Sequence, residues 1–183
     1  MDKNERNEYM KPLVGIIVGS DSDLPLVQET INLLEGFEIP YEITIGSAHR
    51  APERVTEFVS NAVEKGIKVI IAAAGSAAHL PGVVASKTIL PVIGIPVDSG
   101  PLNGVDALYS IVQMPAGIPV ASMAIGRAGA RNAGIFAAQI LAITNKKIAQ
   151  SLMEFRQKMA EDVAERAKKL DELGITEYIK RSK

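Results

Sequence analysis

The chain has no cysteine and no tryptophan, and only four phenylalanines and four tyrosines among its 183 residues. Without cysteine there are no disulfides, no thiolate nucleophile and no cysteine-ligated zinc or iron–sulfur cluster. So few aromatics leave a flavin ring little to stack on. An excess of one charge is also missing. Lys and Arg number 20 against 21 Asp and Glu, a formal charge of -1, so nothing draws nucleic acid or an anionic membrane from a distance. No stretch approaches the roughly 20 consecutive apolar residues of a membrane-spanning helix. Residues 1–9 are polar and charged and lack the apolar centre of a signal peptide. Residues 1–12 therefore read as a disordered lead-in, with Met10 a candidate start, and a soluble cytoplasmic protein is expected.

Histidine is nearly absent too. His49 lies in Gly46-Ser47-Ala48-His49-Arg50 and His79 in Ala74-Gly75-Ser76-Ala77-Ala78-His79, each a run of small residues after an apolar or alternating segment. Histidine is the side chain whose ordinary pKa, about 6.5, suits proton transfer near neutrality. Acid/base chemistry at that pH has almost nowhere else to live.

What is plentiful is apolar sequence, 47% of the chain, enough for one well-buried domain. Residues 13–18 and 67–73 are nearly continuous apolar runs ending in small residues, the pattern of strands covered on both faces of a parallel sheet. Residues 41–45 alternate as a more exposed strand, and 91–97 and 118–125 complete a set of five. Helices are expected at 24–36, with Asp23 as a candidate cap and Pro25 in its first turn, and at 52–65, 80–88, 104–112 and 128–144. Alternating strands and helices need right-handed crossovers. They predict an α/β, three-layer, flavodoxin-like fold with a five-stranded parallel sheet in the order 2-1-3-4-5, spanning residues 13–144. The alanine-rich last helix of that set should pack tightly on the sheet.

Residues 145–183 change to charged, helical sequence that keeps one apolar stripe through Ile148, Leu152, Phe155, Met159, Val163, Ala167 and Leu170. The stripe either folds back on its own domain or packs on a neighbouring subunit. The helix is longer than the domain needs, which favours the second.

Ligands in such sheets bind at the carboxyl ends of the strands. That rule brings three segments to one edge. Gly19-Ser20-Asp21-Ser22-Asp23 joins a strand to a helix and is a candidate phosphate cradle of N–H groups and hydroxyls; an ordinary capped turn is the alternative. Neither GxGxxG nor a Walker A lysine occurs, so a monophosphate ester fits better than a dinucleotide or triphosphate. In the second segment Arg50 could hold the same phosphate bidentately while His49 faces the cleft. The third, Gly75 to Gly82, lets backbone approach a ligand closely, although His79 could equally cap or pack the helix after it. Asp98 and Ser99 end the fourth strand at the same edge and read most simply as caps. Two histidines without a defined carboxylate partner make no convincing metal site.

Taken together, Gly19-Ser20-Asp21-Ser22-Asp23, Ser47-Ala48-His49-Arg50, Ala77-Ala78-His79-Leu80-Pro81-Gly82 and Ser110-Ile111-Val112-Gln113-Met114-Pro115 closely resemble the PurE family of purine biosynthesis. The resemblance implies a flavodoxin-like domain in a homo-octamer and an enzyme of carboxylated aminoimidazole ribonucleotides. One branch is a mutase converting N5-carboxyaminoimidazole ribonucleotide to 4-carboxy-5-aminoimidazole ribonucleotide; the other carboxylates aminoimidazole ribonucleotide directly with carbon dioxide. Arg50 after His49, where the direct carboxylase usually has Lys, and the third loop resemble the mutase branch. The chain departs from the commonest mutase pattern at Ala51, where Thr is usual, and at Ser76, where Gly is usual.

By the same resemblance His49 carries the proton transfers, Ser20 and Asp23 meet the ribose 5-phosphate portion, and Ser22, Ser47 and Arg50 lie near the phosphate. Gly75, Ser76, His79 and Leu80 form the rest of the substrate pocket. No metal, biotin or nucleoside triphosphate is implied, and neither nucleic acid nor membrane is an expected partner. Outside this family, the alternative is a flavodoxin-like module that binds a phosphorylated ligand or flavin without catalysis.

Overall fold

The computed structural model describes residues 11–181; most of the expected N-terminal lead-in lies outside the described residues. β1 (Val14–Val18), β3 (Val69–Ala74) and β4 (Val92–Pro96) are buried at every position, as expected for apolar strands covered on both faces. They pair in parallel with β2 (Tyr41–Ile45) and β5 (Ala121–Ser122) in the order β2-β1-β3-β4-β5. This is the expected fold.

Side chains alternate between two cores. Ile16, Val18, Ile71 and Ile93 face α1 (Leu24–Gly36), α5 (Gly126–Ala142) and the start of α6 (Lys146–Arg181). On the other face, Ile17, Ile70 and Ala72 meet α2 (Pro52–Lys65), α3 (Leu80–Ala85) and α4 (Val105–Val112). The alanine-rich helix packs closely: Ala130, Ala133, Ala137 and Ala138 are fully buried, and the buried Thr30 hydroxyl of α1 donates to the Ala130 carbonyl at 2.7 Å.

Most element bounds fall within two residues of those read off the sequence, and three features depart further. β5 has two residues rather than the eight of 118–125, because it is an edge strand with one neighbour and Pro119 has no N–H to pair. The third helix stops at Ala85 instead of 88; Thr88 accepts from the Leu90 N–H and turns the chain toward β4. In α6, Gly174 adopts φ 70° and ψ 160° and interrupts the helical geometry.

The stripe of α6 divides. Ile148 and Leu152 are buried in the first core, and Phe155 meets Phe37 edge to face at 5.4 Å, whereas Met159 and Val163 are 53% and 64% exposed. Among the described residues, no helix is long and apolar enough to cross a membrane.

Candidate active site

Because all five strands run the same way, the segments after β1, β2, β3 and β4 emerge on one edge of the sheet. There they enclose a cavity of about 320 Å³. Ser20, Ser22 and Asp23 line it from the first segment, Ser47, His49 and Arg50 from the second, and Gly75, Ser76, His79 and Leu80 from the third. Every residue singled out as a site candidate thus borders one space. The fourth motif does not: Ser110 to Pro115 is absent from the lining, and Met114 lies over Gly82 instead.

The first segment forms a short 3-10 turn, Asp21–Asp23. Its polar groups are largely engaged with one another. The Ser20 N–H donates to Asp23 Oδ2 at 3.2 Å, the Ser22 N–H to Ser20 Oγ at 3.3 Å, and the Ser22 hydroxyl to Ser20 Oγ at 2.9 Å. Asp23 was the expected cap of α1, but its side chain makes no bond to that helix. It closes a reciprocal capping box around the turn instead, because Ser20 three residues earlier offers a nearer N–H. Asp23 is buried, and that burial raises its carboxyl above the ordinary value; the Ser20 N–H and the Ser22 hydroxyl pull the other way, while the charge of Asp21 adds to the rise. The turn therefore offers acceptors and hydroxyls to a ligand more than free N–H donors.

In the second segment the Arg50 N–H and Nε both point at Ser47 Oγ, at 3.2 and 3.4 Å, which folds the guanidinium over the serine beside the turn. Arg54 belongs to none of the motifs read from the sequence. It borders an adjoining recess with Ser20, Asp21, Ser47 and Arg50, and its guanidinium donates to the Ile45 carbonyl and the Thr44 hydroxyl at 2.7 and 3.0 Å. A second arginine four residues after the first was the available signal.

The third segment brings the histidines together. His49 Nε2 lies 2.7 Å from His79 Nδ1, with the rings edge to face. His79 immediately precedes α3 but makes no side-chain capping bond, and its ring borders the cavity. Gly75 leaves room for the Ser99 hydroxyl: a Cβ there would meet Ser99 Oγ at 1.9 Å and force that side chain to turn away. Ser99, read as a cap, lines the cavity after β4, whereas the Asp98 carboxylate turns toward Gly126. Ser76 takes the left-handed backbone, φ 53°, unusual for a residue with a side chain.

No Phe, Tyr or Trp is among the lining residues, so a flavin ring would find no aromatic face there. Among the described residues, no three His, Asp or Glu side chains are grouped to hold a metal ion. The assembly can bind a polyhydroxylated anion through Asp23, Ser47 and Arg50 and exchange a proton through an imidazole.

Residues 13–162 match the family described as AIR carboxylase. Over 168 residues the chain is 56% identical to the N5-carboxyaminoimidazole ribonucleotide mutase of Thermotoga maritima, spanning 92% of this chain and 97% of that protein. It is 52% identical over 172 residues to the phosphoribosylaminoimidazole carboxylase of Candida glabrata, spanning 94% of this chain but 30% of that protein. Among solved structures, Treponema denticola PurE aligns with a TM-score of 0.78 at 32% identity, covering 87% of this chain and 98% of that one.

Proposed function

This chain belongs to the PurE, or AIR carboxylase, family, and we propose that it is the mutase of that family, converting N5-carboxyaminoimidazole ribonucleotide to 4-carboxy-5-aminoimidazole ribonucleotide. The observation that carries this reading is the single cavity in which an acceptor-rich turn, a guanidinium and two imidazoles converge, in a chain matching a mutase over nearly its full length.

The division of labour follows the chemistry of each group. Arg50 and Ser47, with Ser22, hold the phosphate, since a guanidinium meets phosphate oxygens with charge-assisted hydrogen bonds. Asp23 and Ser20 take the ribose, whose hydroxyls donate to the carboxyl. That leaves the aminoimidazole ring toward Gly75, Ser76, Leu80 and the histidines.

His49 gives a proton to the exocyclic nitrogen as its bond to the carboxyl carbon breaks, releasing carbon dioxide and a neutral amine. Ring C4 then attacks the carbon dioxide, and His49 takes the C4 proton, which restores the aromatic ring. One proton leaves the imidazole and one returns, so the isomerisation is balanced. Carbon dioxide must stay beside C4 between the steps, which requires a closed space. The Gly75 loop supplies one wall, and a neighbouring subunit is the natural source of another.

We further propose a cytoplasmic homo-oligomer, an octamer on the family resemblance, with residues 145–183 as a helical extension that packs on a neighbouring subunit. Exposed apolar groups support this: Tyr109 and Val112 on α4, Met159 and Val163 on α6, and Ile89 and Ile143. Sedimentation velocity measures the assembly directly, and a monomer would overturn it.

The runner-up is direct carboxylation of aminoimidazole ribonucleotide, which the relatives named mutase and matched over nearly their full length do not favour. A paired assay decides between them. Rapid isomerisation of N5-carboxyaminoimidazole ribonucleotide is the expected result. Turnover only of aminoimidazole ribonucleotide with bicarbonate would establish the second reading, and turnover of neither would leave a binding module.

A further inference from the structure

Imidazole nitrogens 2.7 Å apart, as His49 Nε2 and His79 Nδ1 are, hold one hydrogen between them, with one ring donating and the other accepting. The direction of that bond has consequences for chemistry. If His79 donated, the Nε2 lone pair of His49 would be occupied and His49 would be a neutral ring carrying its hydrogen on Nδ1. Such a neutral ring could give up that hydrogen only by becoming an imidazolate anion, so it is no acid near neutral pH. If His49 donates, it can carry hydrogens on both nitrogens, release the one on Nδ1 and recover it, with the Nε2–H bond intact throughout.

We propose that His79 is a positioning residue for the isomerisation: its Nδ1 accepts from His49 Nε2–H, fixing the ring and leaving His49 Nδ1 as the atom that gives and takes the substrate proton. This rests on the mutase reading and extends it to a named atom. His79 fills the place that an orienting acceptor fills beside other catalytic imidazoles. Its other nitrogen, Nε2, carries its hydrogen. The placement of both rings is built into the fold, since His49 lies in the loop between β2 and α2 and His79 immediately precedes α3 after β3, 30 residues apart in sequence.

Among the described residues, the other charged groups facing the cavity are Asp23 from the 3-10 turn and Arg50 from the loop after β2; apart from His79, the polar side chains from the segments after β3 and β4 are the hydroxyls of Ser76 and Ser99. Among the described residues no carboxylate bonds either imidazole, and the orienting acceptor available to His49 is the other histidine. The doubly protonated pair sets N–H against N–H and loses the contact, so the arrangement works with at most one positive charge on the couple.

The test uses the full chain. Nitrogen-15 NMR of histidine-labelled protein, free of substrate, reads the tautomers: His49 protonated at Nε2 and His79 protonated at Nε2 with Nδ1 bare. Detection of hydrogen on His79 Nδ1 in the neutral pair overturns the proposal, whatever the enzyme's turnover. His79→Leu, which removes the acceptor, lowers kcat by about 10²-fold with KM changed by less than about threefold. In His79→Asn the amide oxygen can take the place of Nδ1, and it recovers most of that loss. Unchanged kcat in His79→Leu, or a rise in KM alone, would make His79 a substrate-binding residue and sink the positioning role. Failure of the wild-type chain to isomerise its substrate would refute the mutase reading alone, because the tautomers are measured without it.

Discussion

The two edges of the sheet differ in kind. At the carboxyl ends a cavity of about 320 Å³ gathers two imidazoles, a guanidinium and a buried carboxyl. At the amino ends a groove of about 1090 Å³ is walled by Val63, Ile89, Leu90, Ile118, Ile140 and Ile143, and among its described lining residues Lys87 alone is charged. Room is therefore a poor guide to chemistry in this molecule. Parallel strands deliver their following loops to one edge, so small, polar and titratable residues accumulate there. The opposite edge receives helix ends and apolar side chains, which suit contact with another protein surface.

The contrast breaks most readily at His49. His49→Asn should retain substrate while losing turnover by about 10²-fold or more, the contribution of a lost general acid/base; near-normal kcat would remove His49 from the reaction. Next in size is Arg50→Ala, expected to raise KM by about 10-fold to 100-fold, as loss of a charge-assisted phosphate contact should, with a smaller effect on kcat. Steady-state kinetics with phosphate as a competing anion checks the assignment, since the variant should also lose sensitivity to phosphate.

At the other edge the expected effect is on assembly. Ile143 is 82% exposed, and Ile143→Asp should lower the mass measured by light scattering by about half or more if a second copy covers that groove. An unchanged mass would leave the groove outside the subunit interface.

Asp23 links binding to stability. Burial raises its carboxyl above the ordinary value, so the folded chain holds this proton more tightly than the unfolded chain. The stability it contributes is fully present below the unfolded pKa and is lost as pH rises through the raised one. Asp23→Asn keeps an acceptor for the Ser20 N–H and removes the ionisation. Its thermal stability should decline less than that of the wild type from acid to neutral pH, while KM rises through a weaker ribose contact. Identical pH dependence in the two proteins would show that the native carboxyl is not desolvated.

Much of this was legible because burial leaves a pattern. β1 and β3 read as strands from unbroken apolar runs, and the loops after them read as site candidates from the strand-end rule. β5 reads as a strand at 118–125, but its short extent does not show, since an edge strand holding two ladder residues beside Pro119 has little periodicity to display. The three segments bordering the cavity were visible as small-residue runs with unusual polar content. Their internal bonding was not. Asp23 resembles a cap for the helix ahead of it, and only the folded turn shows it reaching back to Ser20. His49 and His79 looked like two separate candidates, because their contact depends on how two crossovers place the ends of β2 and β3. Ser99 and Arg54 were hidden among residues that resemble ordinary caps and helix surface.

The smallest expected effect concerns Ser76, where the chain departs from the glycine usual in the family. Its φ of 53° places a side-chain-bearing residue in the left-handed region, at a cost of about 1 kcal/mol or more relative to glycine. Ser76→Gly should relieve that strain and raise Tm by about 2–4 °C for a chain of this size. Ser76→Ala keeps the strain and removes only the hydroxyl that borders the cavity. If the strain serves to aim the hydroxyl at substrate, both variants lose activity to the same extent while only the glycine variant gains stability. If both keep full activity, the hydroxyl has no part in catalysis and the left-handed turn is simply what the close approach of Gly75 to Ser99 imposes on the next residue. Either result separates the geometry of the loop from its chemistry, which is the distinction that divides the two edges of the sheet.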